Sequence, residues 1–142
     1  MSADLIRGLA DAFNARDWDR ARQYLSDDVA FTDFAMGHST HGPDDFLAYA
    51  QVWANAFSDM QLDLRAAVGD ESHVAGEFVG RGTHDGPLVS PNGEIPPTGR
   101  DLETAFTWFC DVAGGKLIRI GDYYDAMTIM SQLGLTPETA EA

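Results

Sequence analysis

The sequence predicts an α+β fold in which N-terminal helices pack on a strongly curved antiparallel sheet that encloses a pocket. Three observations carry that expectation. Apolar residues recur at helical spacing early in the chain, with Leu5, Leu9 and Phe13 four apart. From Met60 the period switches to two, so Met60, Leu62, Leu64, Ala66 and Val68 are expected on one side of a strand. Short turns at Gly69-Asp70 and Gly114-Gly115 join the long strands that follow, which makes hairpins and not βαβ crossovers.

Taken in order, residues 3–15 form the first helix. Asp17 caps a second that runs through Leu25, with Trp18, Ala21 and Leu25 inward. Val29 to Phe34 is a short strand, followed by the polar loop AMGHSTHGP. Asp44 and Asp45 open a third helix, where acids suit the positive N-terminal end; its stripe is Phe46, Ala50, Trp53 and Phe57. After the strand from Met60, a strand spans Ser72 to His84, a Pro/Gly-rich loop spans residues 85–99, and a strand spans Asp101 to Val112. Gly76, Gly80 and Gly82 share one parity, which fits sheet curvature or close backbone approach. A sheet curved against the helices forms a cone, and the cone holds a cavity.

The chain of 142 residues is expected to be one domain over 1–142, and its 44% hydrophobic content suffices to bury a core. A net charge of −14 excludes the basic face that nucleic acid or an anionic membrane needs. The single Cys110 cannot close an internal disulfide, so a reducing, cytoplasmic setting is expected. The N-terminus lacks the basic and apolar regions of a signal peptide, and no apolar run approaches the roughly 18 residues of a membrane span.

The stretch from Gly115 to Leu135 carries the chemistry. It begins as a strand in which Ile118, Ile120, Asp122 and Tyr124 share a face. If that face is buried, a carboxylate sits among apolar side chains. Asp125 is read as the N-cap of a helix over Ala126 to Leu133, ended by Gly134. The two aspartates therefore have different tasks. Asp122 has no local partner, and the alternative to a functional role is an ion pair with Arg119 or Arg81.

The ordered segments GRGTHDGPL, IPPTGR and GKLIRIGDYYDAMTIMSQLG, with the aromatic strand between the last two, resemble the SnoaL-like polyketide cyclases of the NTF2-like superfamily, whose fold is a cone-shaped α+β barrel. The likeness runs from the first helix to the final QLG. It implies a cofactor-free enzyme that closes a polyketide ester by an intramolecular aldol step. It also implies Asp122 as general acid/base, with His84 near the same pocket. The chain departs from the family pattern on its fourth strand, where Phe106 and Trp108 stand in place of Gln and His, and at Phe31, where an amide is expected. The superfamily also holds isomerases, epoxide hydrolases and epoxide-opening cyclases. Those activities, and a non-catalytic ligand-binding module, are the alternatives.

The expected site is thus Asp122 and His84 for catalysis. Phe31, Phe34, Tyr49, Trp53, Phe106, Trp108 and Tyr124 are expected to bind a small hydrophobic metabolite. His84 is read either as a proton relay or as the holder of the turn before Gly86-Pro87. His38 and His41 lack a third ligand at metal-binding spacing and are read as a solvated loop, so no metal and no other cofactor is expected. Asp33 and Glu77 are read as exposed acids. The exposed parity of the long strands points to a homodimer or higher homo-oligomer through sheet packing.

Overall fold

The computed structural model describes residues 2–90 and 93–135. Its elements are α1 (Ser2–Asn14), α2 (Trp18–Arg22), β1 (Leu25–Asp33), β2 (His38–His41), α3 (Pro43–Ala56), β3 (Gln61–Gly69), β4 (His73–Thr83), β5 (Leu88–Ser90), β6 (Gly93–Ile95), β7 (Asp101–Ala113), β8 (Lys116–Tyr123) and α4 (Ala126–Gln132). The large sheet has the order β2-β1-β8-β7-β4-β3, and β5 and β6 form a separate hairpin. The architecture is α+β, with helices packed on a curled sheet. The sheet does not close, because β2 and β3 are its edges.

Four expectations are corrected. The sheet is mixed, because β1 runs parallel to β8. The second helix stops at Arg22, and Leu25 belongs to β1, where it pairs with Leu117. Five helical residues bury little by themselves, and pairing with a strand more than ninety positions away wins. Part of the loop before α3 is an edge strand, β2, whose polar residues His38 to His41 pair with Ala30 to Asp33. The loop 85–99 likewise contains the β5–β6 hairpin.

Two bulges reset side-chain parity. Between Leu64 and Ala66 the β3–β4 register shifts, so Ala67 turns to the core while Val68 is left 75% exposed. The expected single-sided run of Met60 to Val68 therefore breaks at Arg65. On β8 the register shifts between the Asp111–Arg119 and Val112–Leu117 pairs, which leaves Ile118 as the extra residue. The inward face of β8 is thus Leu117, Ile120 and Asp122, and Ile118 does not share it fully.

On β4 and β7 the even positions point inward. Val74, Phe78, Leu102, Trp108 and Cys110 are buried, whereas Glu77, Glu103, Ala105 and Phe109 are exposed. The glycines of β4 sit where the helices and neighbouring strands come close. A Cβ on Gly76 would lie 2.5 Å from the Ile6 side chain, and one on Gly80 3.2 Å from Phe106. Buried side chains fall into two clusters. One is centred on α1, β1 and the middle of the sheet, the other on the C-terminal end of α3, Leu102 and α4, and Trp18 and Leu62 pack against both.

Candidate active site

Between the two clusters lies a cavity lined by α1, α2, β1, α3, β3, β4, β7, β8 and α4. Its volume is about 110 Å³. One water needs roughly 10–15 Å³, so the cavity takes more than a single solvent molecule. The walls are almost entirely apolar and aromatic, including Phe31, Phe46, Trp53, Phe106 and Trp108. Thr104, Asp122 and the tyrosines Tyr49 and Tyr124 are its polar side chains.

Asp122 reaches this cavity through strand geometry. Its register partners are Trp108 on β7 and Asp33 on β1, so the three side chains stand side by side on the concave face. Its Oδ1 is buried and has no hydrogen-bond partner among the described residues. Arg119 pairs instead with Asp111 at 3.0 Å and Arg81 with Glu103 at 3.6 Å, so neither arginine is engaged with Asp122. Loss of hydration raises its pKa well above the ordinary carboxylate range, and the charge of Asp33 raises it further. Asp125 is separate. It caps α4 through the Met127 amide at 3.0 Å, and its other oxygen accepts from the Thr128 hydroxyl at 2.9 Å.

The expectation that Asp33 is exposed is corrected. It is fully buried, and its carboxylate accepts three hydrogen bonds: from the Tyr49 hydroxyl at 2.6 Å, the Tyr124 hydroxyl at 2.6 Å, and the Met36 amide at 2.9 Å. Burial, followed by the bond to Asp33, pushes both tyrosines well above the usual phenol range, so they remain neutral donors. The sequence carried a signal for this. Phe31 and Asp33 are two apart on one strand, so a pocket-facing Phe31 already placed Asp33 on the same face. The tyrosines, expected as flat aromatic surface, also act through their hydroxyls.

Of the nine expected site residues, seven meet in the cavity: Asp122, Phe31, Tyr49, Trp53, Phe106, Trp108 and Tyr124. Phe34 is 51% exposed and stacks on Tyr123 with ring centres 4.6 Å apart, because β1 ends at Asp33 and the next residue turns to the outer face. His84 also lies outside the lining. It is fully buried, its ring stacks on Phe57 at 5.1 Å, and its Nδ1 accepts the Thr98 amide at 3.2 Å. Its backbone binds Arg100 and Gly99, and the following residues Asp85 and Gly86 both donate to the Ala56 carbonyl. Desolvation lowers its pKa. Among the described residues no cluster of three His, Cys, Asp or Glu side chains forms a metal-binding set. His38 lies on β2 with its ring stacked on Tyr49 at 4.5 Å. Cys110 is buried in the core, and desolvation pushes its thiol up to about 12.

Solved structures share this architecture. IdmH of Streptomyces antibioticus, a proposed polyketide cyclase, is 28% identical over 93% of this chain and 97% of its own, with a TM-score of 0.77. A protein of Jannaschia sp. CCS1 ascribed to the SnoaL-like polyketide cyclases superposes with a TM-score of 0.83 at 17% identity, covering 95% of this chain and 92% of its own. A Catenulispora acidiphila protein with a ketosteroid isomerase-like fold, solved with trimethylamine, gives a TM-score of 0.78 at 16% identity over 94% of this chain and 95% of its own. The fold is therefore the ketosteroid isomerase-like, NTF2-like one. The model of the SnoaL-like polyketide cyclases matches residues 3–133, and the chain belongs to that family. No curated protein matches the chain.

Proposed function

We propose that this protein is a cofactor-free cyclase that closes a hydrophobic polyketide-type metabolite by an intramolecular aldol step, with Asp122 as the general acid/base. Family membership supports a cyclase or isomerase role. The observation that carries the mechanism is the buried, unpartnered Oδ1 of Asp122 beside an apolar cavity. An unsatisfied buried carboxylate is costly, and proton transfer to a bound carbon acid gives it a use.

The ionised carboxylate takes a proton from the carbon α to a carbonyl, leaving an enolate. The enolate carbon attacks a second carbonyl of the same molecule, one carbon–carbon bond forms, and the carbonyl π electrons move to oxygen. Asp122, now protonated, returns the proton to that alkoxide, so the cycle needs no external acid or base. A carboxyl with a raised pKa is suited to both steps. The aromatic walls hold the chain folded and exclude water, which keeps the reacting carbons in contact. Isomerisation uses the same first step, with the proton returned to a different carbon of the enolate system. The single acid/base in the cavity supports that reading as the second one.

Exchange of α-hydrogens for deuterium in 2-tetralone, a flat bicyclic ketone, measures the shared first step by NMR. Wild type is expected to accelerate exchange and Asp122→Asn to lose at least about a hundredfold of that rate. Equal rates in the two proteins would remove Asp122 from the mechanism.

A further inference from the structure

We infer that Asp33 is a positioning residue: a buried carboxylate, fixed by Tyr49 and Tyr124, that acts through Asp122 and directs the proton of the carboxyl pair onto it. This rests on Asp122 being the acid/base of the proposed reaction.

The two carboxyl groups are cross-strand neighbours. Asp33 and Asp122 are register partners on parallel strands, so their side chains project from the same face of chains roughly 4.7–4.9 Å apart. Their surroundings are unequal. Asp33 has three donors, two of them phenol hydroxyls at 2.6 Å. Asp122 has a buried oxygen with none. The charge of Asp33, held by its three donors, disfavours a second charge on its strand neighbour, so a proton taken up from a carbon acid stays on Asp122, which faces the cavity. The arrangement makes Asp122 a stronger base toward a carbon acid than burial alone, and it stops the abstracted proton from escaping to Asp33.

The other titratable groups nearby do not substitute for Asp33. On α3 the facing group is Tyr49 and after β8 it is Tyr124, both neutral donors. From β7 the neighbours are Trp108, which does not titrate, and the buried Cys110. On β2, His38 is the register partner of Asp33 and stacks on Tyr49. Arg119 and Asp111 are engaged with each other.

The test is the carboxyl titration of Asp122, followed by carbon NMR on aspartate-labelled protein, with the resonance identified by its loss in Asp122→Asn. Asp33→Asn is expected to lower the Asp122 midpoint by about one pH unit or more, and to move the acid limb of the exchange rate with it. Tyr49→Phe removes one donor from Asp33, which then competes for the proton of the pair, so the Asp122 carboxyl is expected to titrate at lower pH or in two steps. His38→Gln is expected to leave the midpoint in place. A folded Asp33→Asn protein with an unmoved Asp122 midpoint, even with reduced turnover, would show a merely structural role and overturn the inference. If that variant does not fold, an Asp122 carboxyl that titrates in a single step at unchanged or higher pH in Tyr49→Phe overturns it. A His38→Gln shift as large as that of Asp33→Asn would do so as well. A wild type that titrates as described yet exchanges no α-hydrogens breaks the cyclase reading and leaves this one standing. An active protein whose Asp122 ignores Asp33 does the reverse.

Discussion

Asp122 and His84 stand at two buried places that resemble each other by simple criteria and differ in kind. Each holds a titratable side chain with one buried polar atom lacking a partner, Oδ1 of Asp122 and Nε2 of His84. Each has its pKa displaced, mainly by loss of hydration, toward the neutral form. The difference lies in what touches them. Asp122 borders a cavity, whereas His84 is packed against Phe57 and held by Thr98 within a loop tied to the end of α3. Burial and a shifted pKa therefore do not single out a site by themselves. Room for a second molecule beside the displaced group does.

The largest expected effect separates the two directly. Asp122→Asn should cost at least about a hundredfold in proton transfer while raising stability at neutral pH. The folded pKa lies above the unfolded value of roughly 3.9, so the folded state keeps a proton that the unfolded chain has released. Wild-type stability consequently falls as pH rises from about 4 through the raised value, by about 1.4 kcal/mol for each unit of displacement. The advantage of the Asn variant should thus be present at pH 7 and absent at pH 4 in denaturant titrations. A variant less stable than wild type at pH 7 would mean that Asp122, like His84, serves the packing of the fold.

Next in size is the wall of the cavity. Trp108→Ala should weaken binding of a flat apolar ligand by about 1–3 kcal/mol in calorimetry. His84→Gln should leave that affinity within about twofold of wild type, and comparable losses in both would erase the distinction between lining and loop.

His84→Gln should instead lower stability by about 1–2 kcal/mol, the range for disturbing a buried hydrogen-bonded group, with little effect on exchange rate. Because the folded pKa of His84 is depressed, its contribution is complete above the unfolded value of roughly 6.5 and is lost as pH falls below it. Wild type should lose this increment on acidification and the Gln variant should not. An exchange rate that collapses in His84→Gln would place the histidine in the reaction.

The smallest effect belongs to the neighbouring aspartate. Asp125→Asn keeps an N-cap acceptor for α4 and should change stability by less than about 0.5 kcal/mol and leave the exchange rate unaltered. Loss of activity there, with Asp122→Asn silent, would exchange the tasks of the two residues.

Much of this was legible in local pattern. The helical stripes of α1 and α3, the period of two from Met60 as far as Leu64, the cap at Asp125 and the left-handed Gly134 (φ +77°) all follow from side-chain direction and backbone geometry within a few residues. The pairing of Phe106 with Trp108 on one face was equally local, and the structure supplied which face is inward. The family segments single out Asp122 from sequence alone.

What tertiary structure decided depends on residues far apart in the chain. Nothing near Asp33 announces that β8 will lie beside it; that pairing sets Asp33 next to Asp122 and near Tyr124, and the packing of α3 on β1 brings Tyr49. The bulges at Arg65 and Ile118 are answers to partner strands, and parity counted along one strand passes over them. The family resemblance puts His84 near the pocket while its own segment allows a turn-holding role, and only the packing of Phe57 and Thr98 around its ring shows where it sits. Side-chain alternation is written into covalent geometry, so sequence alone determines which residues can share a face. Strand neighbours and cavities arise from long-range pairing and burial, so only the folded chain determines which of those faces meet.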